Sequence, residues 1–186
     1  MGRLRELFDA HDGRLIDKWA HYFYIYERYF AEYVGKRVRV LEIGVAHGGS
    51  LQLWKKYFGV QAEIVGVDIE PRCKDYEEEQ ITICTMNQAD LNDRLRLPFP
   101  SFDIVIDDGS HHKIDQQASF KAMWPRTRGV YIIEDCHNGY PDISAMDGFI
   151  ASYPWVLAIF RPERVVRGLP SRPLNAAEQQ VYVGAV

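Results

Sequence analysis

Two short runs hold the residue types on which chemistry depends. Ile104-Val-Ile-Asp-Asp-Gly-Ser-His-His112 and Val130-Tyr-Ile-Ile-Glu-Asp-Cys-His137 each pass from β-branched residues to a pair of acids and then to histidine. Two neighbouring parallel strands with these ends would aim carboxylates and imidazoles into one crevice, and open α/β sheets bind ligands in such a crevice. Carboxylates brought together repel unless a cation or shared protons neutralise them. Oxygen ligands favour a hard ion such as Mg²⁺ over zinc. Asp107, Asp108, Glu134 and Asp135 therefore read first as a metal site, and otherwise as caps of following helices.

A second constellation is Glu42-Ile-Gly44-Val-Ala-His-Gly48-Gly49-Ser50. It follows one expected strand and opens an expected helix, the context that a glycine-rich cofactor loop needs. Its spacing is GxxxGG rather than GxGxxG, and Glu42 stands before the first glycine. A carboxylate there repels a pyrophosphate but accepts hydrogen bonds from an ammonium group, which favours S-adenosylmethionine (SAM) over NAD. Asp68 ends the next expected strand, about 20 residues on, where an acid would bond ribose hydroxyls.

The elements that must position these groups follow from periodicity. Leu15, Trp19, Tyr22, Phe23, Tyr26 and Phe30 recur at helical spacing and predict an amphipathic helix over 14–34, ended by Gly35. Strands are expected at 37–43, 63–68, 81–85, 102–107 and 129–134, with helices at 50–58 and 113–124. The β-α-β order implies parallel pairing with right-handed crossovers. Residues 155–160 and 164–166, joined through Pro162-Glu163, predict a terminal antiparallel hairpin on an otherwise parallel sheet. The fold class is thus α/β, doubly wound. One domain over 1–186 is expected, with 1–35 as a helical cap and 168–186 as a tail.

Composition narrows the function classes. The chain has 186 residues, 47% hydrophobic and 13% aromatic, with a formal net charge of −4, enough for one substantial core. Acids and bases are interspersed, so there is no electrostatic footprint for nucleic acid. A small-molecule or oligosaccharide partner fits better. Three cysteines without CxxC spacing argue for a reducing compartment. No N-terminal signal region and no apolar stretch of about 20 residues is present, and the expectation is a cytoplasmic protein.

Glu42-Ile-Gly44 with Gly48-Gly49-Ser50, Asp68, Asp107-Asp-Gly-Ser-His111 and Glu134-Asp135 together resemble the class I SAM-dependent methyltransferases. Within them, they are similar to the metal-dependent sugar O-methyltransferases that tailor macrolides and methylate polysaccharides. The resemblance runs from about Asp17 to Asp135 and implies a Rossmann-like fold. It implies that Glu42, Gly44, Ser50 and Asp68 hold SAM, that Asp108, Glu134 and Asp135 hold Mg²⁺, and that His111 is the general base. Asp107 is grouped with the cofactor residues. The departures are at the ends: the chain lacks the large N-terminal domain that some relatives use to oligomerise, and its tail matches no family pattern. A homo-oligomer stays open.

Methyl transfer from a sulfonium is an in-line displacement, so an enzyme must orient one hydroxyl and remove its proton. Mg²⁺ would lower the hydroxyl's pKa and His111 would take the proton. His112 and His137 flank the same strand ends and are alternatives for the base or for substrate binding. In Asp17-Lys-Trp-Ala-His-Tyr-Phe-Tyr-Ile-Tyr-Glu-Arg-Tyr-Phe30, rings with polar tips suit sugar or adenine faces, and Lys18 and Tyr22 are the candidates to cover the cofactor. Gln88 and Asp90 are placed to reach the adenine amino group. Two other functions compete: a cephalosporin-hydroxylase-like oxygenase, with iron sketched on His111, His137 and Asp108, and a non-catalytic SAM- or sugar-binding module.

Overall fold

The computed structural model describes residues 2–91, 96–136, 139–142, 149–153 and 156–160. Seven strands form one sheet: β1 (Val38–Ile43), β2 (Ala62–Asp68), β3 (Ile81–Thr85), β4 (Phe102–Asp107), β5 (Thr127–Ile133), β6 (Phe149–Tyr153) and β7 (Val156–Phe160), in the order β3-β2-β1-β4-β5-β7-β6. The first five pair in parallel, whereas β7 pairs antiparallel with both β5 and β6. Helices α1 (Arg3–Asp9), α2 (Tyr22–Phe30) and α3 (Gly49–Phe58) cover one face and α4 (Lys113–Met123) the other. This is the expected Rossmann-like doubly wound fold. Among the described residues, no helix is long and apolar enough to cross a membrane.

Strand alternation sorts side chains between the two faces. Val38 and Val40 of β1, Ile104 and Ile106 of β4, and Val130 and Ile132 of β5 pack with Trp54, Phe30 and Tyr26 under α2 and α3. Leu41, Ile43, Val105, Tyr131 and Ile133 pack with Phe120 and Met123 of α4. Continued to the strand ends, the alternation carries Glu42, Asp108 and Glu134 to the α2/α3 face, and Asp107 to the α4 face. The register aligns Glu42 with Ile106 and Asp107 with Ile133, so the acids of β4 and β5 emerge side by side.

Two expectations are corrected. The helix expected over 14–34 is α-helical only at Tyr22–Phe30. Residues 14–20 run irregularly because their polar groups are taken elsewhere: Arg14 N–H donates to Gln52 Oε1 at 3.0 Å, the His11 ring nitrogen lies 2.7 Å from the Arg14 carbonyl, and Lys18 turns into the crevice. Leu15 and Trp19 are consequently exposed. The terminal hairpin forms one strand earlier than expected: β7 takes the place assigned to 155–160, but its partner is β6. Residues 164–166 and the 168–186 tail lie outside the described residues.

Candidate active site

The first strand-loop-helix turn is built by glycines that admit other backbone. Gly44 has φ 93°, and a Cβ on it would collide with the carbonyl oxygen of Asp108. A Cβ on Gly49 would strike the carbonyls of Arg14 and Leu15. The loop is therefore drawn tightly against the DDGSH turn on one side and the 11–21 segment on the other, a reason for its spacing that the nucleotide-loop reading did not contain. Asp68 fastens it from β2, with Oδ2 accepting from Val45 N–H at 2.8 Å and Ala46 N–H at 3.1 Å, while Oδ1 accepts from Glu70 N–H at 2.9 Å.

A cavity of about 700 Å³ opens over the strand ends. Gly44, Ala46, Asp68, Ile69, Asn87 and Gln88 line one side, and Lys18, Trp19, Tyr22, Asp108, His111, Glu134 and Asp135 the other. Gln88 is fixed by donating to Ser119 Oγ at 2.8 Å and accepting from Ser110 N–H at 2.7 Å. Asp90 ends the same short helical turn, 88–90. Gly44, Asp68 and Gln88 thus meet Lys18 and Tyr22 around one space.

Glu42 and Ser50 are not on its wall. Glu42 is fully buried beneath it and accepts from Ser50 Oγ at 2.9 Å and Trp54 Nε1 at 3.0 Å. Burial pushes its carboxyl above the usual range, against the opposing pull of Lys18. Asp107 is also absent from the wall. It is buried on the α4 face, 3.3 Å from the Tyr131 hydroxyl, and desolvation pushes it up to about 7.

The carboxylates on the α2/α3 face gather around one ammonium. Lys18 Nζ lies 2.5 Å from Asp108 Oδ2, 2.9 Å from Glu134 Oε2 and 3.5 Å from Glu42 Oε1, and its side chain is 3% exposed. Burial alone would lower the Lys18 pKa, but Asp108 and Glu134 overcome it and hold it well above the ordinary value. Burial raises Glu134, against the pull of Lys18. The Tyr26 hydroxyl donates to Glu134 Oε1 and the Tyr22 hydroxyl to Asp135 Oδ1, each at 2.6 Å. Trp19 Nε1 donates to Asp135 Oδ1 at 3.1 Å. Lys18, expected to cover a cofactor, lines the cavity and also stands inside the acidic cluster.

Tyr26 and Trp19 were missed as site residues. Their signal is spacing: Tyr22 and Tyr26 lie one helical turn apart and touch the consecutive acids Asp135 and Glu134.

One donor atom each of Asp108, His111 and Asp135 lies within 4.8 Å of the others. His111 Nε2 is 3.7 Å from Asp135 Oδ2. Both residues hold left-handed backbone, φ 58° and 51°, which costs non-glycine residues energy and concentrates at functional sites. The expected metal trio is therefore split in orientation: Asp108 and Asp135 converge beside His111, while Glu134 shares Lys18 with Asp108. A carboxylate set already sharing one cation, with hard oxygen donors in excess of positive charge, suits a divalent ion such as Mg²⁺. His112 is the residue before α4, and His137 lies outside the described residues.

Residues 41–127 match a family described as a methyltransferase domain. The chain's relatives include mycinamicin VI 2''-O-methyltransferase of Micromonospora griseorubida, 41% identical over 125 residues that make up 62% of this chain and 31% of the relative. Demethylmacrocin O-methyltransferase of Streptomyces fradiae is 41% identical over 140 residues, covering 68% of this chain and 35% of the relative. The chain thus spans about a third of the length of the curated relatives it matches. Among solved structures it is similar to MycE methyltransferase of the mycinamycin biosynthetic pathway, in complex with Mg, SAH and mycinamycin VI. The TM-score is 0.71 at 26% identity, covering 86% of this chain and 53% of that one.

Proposed function

We propose that this chain transfers a methyl group from SAM to a hydroxyl of a sugar carried on a small glycosylated molecule, with a divalent cation bound in the same cavity. One observation carries the proposal: the side of the cavity built from Gly44, Asp68 and Gln88 is continuous with the side built from Asp108, His111 and Asp135. A cofactor and an acceptor there share one space. The relatives and the MycE complex, whose names speak of O-methyl transfer, Mg and SAH, support this reading.

SAM would lie against the glycine loop and supply the methyl on its sulfonium. Asp108, Glu134 and Asp135 would hold the cation, which draws charge from the acceptor oxygen and lowers its pKa. The remaining work is done by side chains. His111 accepts the hydroxyl proton, and the nearby Asp135 carboxylate steadies the imidazolium so formed. Tyr22 holds Asp135 in place. Trp19, 51% exposed at the cavity wall, offers a ring face to the acceptor sugar.

The test is a screen of methyl-labelled SAM against mono-, oligo- and macrolide-linked sugars, with Mg²⁺ or with EDTA. Label in an O-methyl sugar only when Mg²⁺ is present is the expected result. Binding of SAM without transfer to any acceptor would favour the binding-module alternative.

A further inference from the structure

We propose that Lys18 is a tethered cation that holds the place between Asp108 and Glu134 and is displaced when a divalent ion binds, so that ion binding unlatches the 11–21 segment. This rests on the reading that Asp108, Glu134 and Asp135 hold the ion.

The Lys18 ammonium is within hydrogen-bond reach of both Asp108 and Glu134 and nearly closed off from solvent. Magnesium sits about 2.0–2.1 Å from its oxygen ligands. An ion bridging these same two carboxylates would thus lie almost on top of the ammonium, and two cations repel strongly at that separation in a partly dry site. They exclude one another. The dication offers the carboxylates the greater charge and wins once its concentration suffices.

Lys18 is also the inner anchor of a strap. Residues 14–20 have no helix or strand to hold them. Their attachments include Arg14, which reaches Gln52, the Tyr76 carbonyl and Glu78, Ile16, which packs against the core, and at the other end Lys18 with Trp19, which donates to Asp135. Both groups at the inner end grip proposed ion ligands. An ion that claims Asp108, Glu134 and Asp135 therefore leaves Lys18 only its 3.5 Å contact with Glu42 and loosens Trp19, while Arg14 and Ile16 keep their own attachments. Such a strap lies along the cavity wall, where its release would widen the entrance for a bulky acceptor.

The experiment measures Mn²⁺ affinity by electron paramagnetic resonance for the wild type, Lys18→Met, Lys18→Gln and Asp108→Asn. Loss of the internal competitor should tighten Mn²⁺ at least tenfold in both Lys18 variants, and Asp108→Asn should weaken it. Equal or weaker binding in the Lys18 variants, with the wild type binding, overturns the latch and leaves the ion site standing. No Mn²⁺ bound by wild type or variants overturns both. A second measurement needs no variant: limited trypsin digestion of the wild type, with the Lys18-Trp19 cut followed by mass spectrometry. Saturating Mg²⁺ should accelerate that cut several-fold relative to EDTA. An unchanged or slower cut overturns the latch, whether or not the Lys18 variants fold.

Discussion

Two adjacent acids at a strand end point to opposite faces, and this decides the fate of Asp107 and Asp108. Asp108 continues the row of Ile104 and Ile106 and meets Lys18, whereas Asp107 continues that of Val105 and is buried beside Tyr131. The pairing was legible in the sequence, because a period of two is a property of any strand. Lys18 was not legible as part of the acidic cluster, since it lies 90 residues from Asp108 and no local pattern reports that approach. Burial raises the Asp107 carboxyl from 3.8 to about 7. A folded value above the unfolded one means the folded chain keeps a proton that the unfolded chain has lost. The stability this group contributes is full below about pH 4 and is lost as pH rises through about 7. Asp107→Asn should remove that decline, on the order of a few kcal/mol, in urea unfolding at a series of pH values. A slope equal to the wild type would refute it. His111→Gln should lower turnover by roughly 10²–10⁴-fold with SAM affinity nearly intact, as read by single-turnover kinetics and calorimetry.

At the level of elements, the glycine loop is held more by protein than the nucleotide-loop reading suggests. Asp68 caps three backbone N–H groups of this turn and of its own strand end, so it serves the loop whether or not a ribose is bound. Asp68→Ala should therefore cost stability as well as SAM affinity, by roughly 1–3 kcal/mol, mostly for the part-buried Val45 donor left unsatisfied. Thermal unfolding without ligand separates the two: an unchanged midpoint with weakened SAM would leave Asp68 a ribose acid alone. Strands β1 to β5 were legible because β-branched runs bounded by glycine or acids have few other uses. The 14–34 helix was over-extended because its apolar period continues through Leu15 and Trp19, yet side-chain anchors at Arg14 and Lys18 outweigh the period. Periodicity also could not choose which flanking run pairs with β7, since both neighbours carry short apolar stretches and hairpin pairing depends on turn geometry.

For the whole molecule, the parallel sheet places a cofactor loop and an acid-rich loop on neighbouring strand ends, as the strand order requires. β1 lies between β2 and β4, so the Asp68 side and the Asp108 side flank the same opening. The central claim is that this opening runs methyl transfer with a divalent ion. It is tested most directly by measuring methyl transfer from labelled SAM to a sugar acceptor selected in the screen, after exhaustive chelation and again after stepwise return of Mg²⁺. The account predicts turnover near zero in the chelated protein, recovery with Mg²⁺, and no recovery in Asp108→Asn; full turnover in the chelated wild type would contradict it.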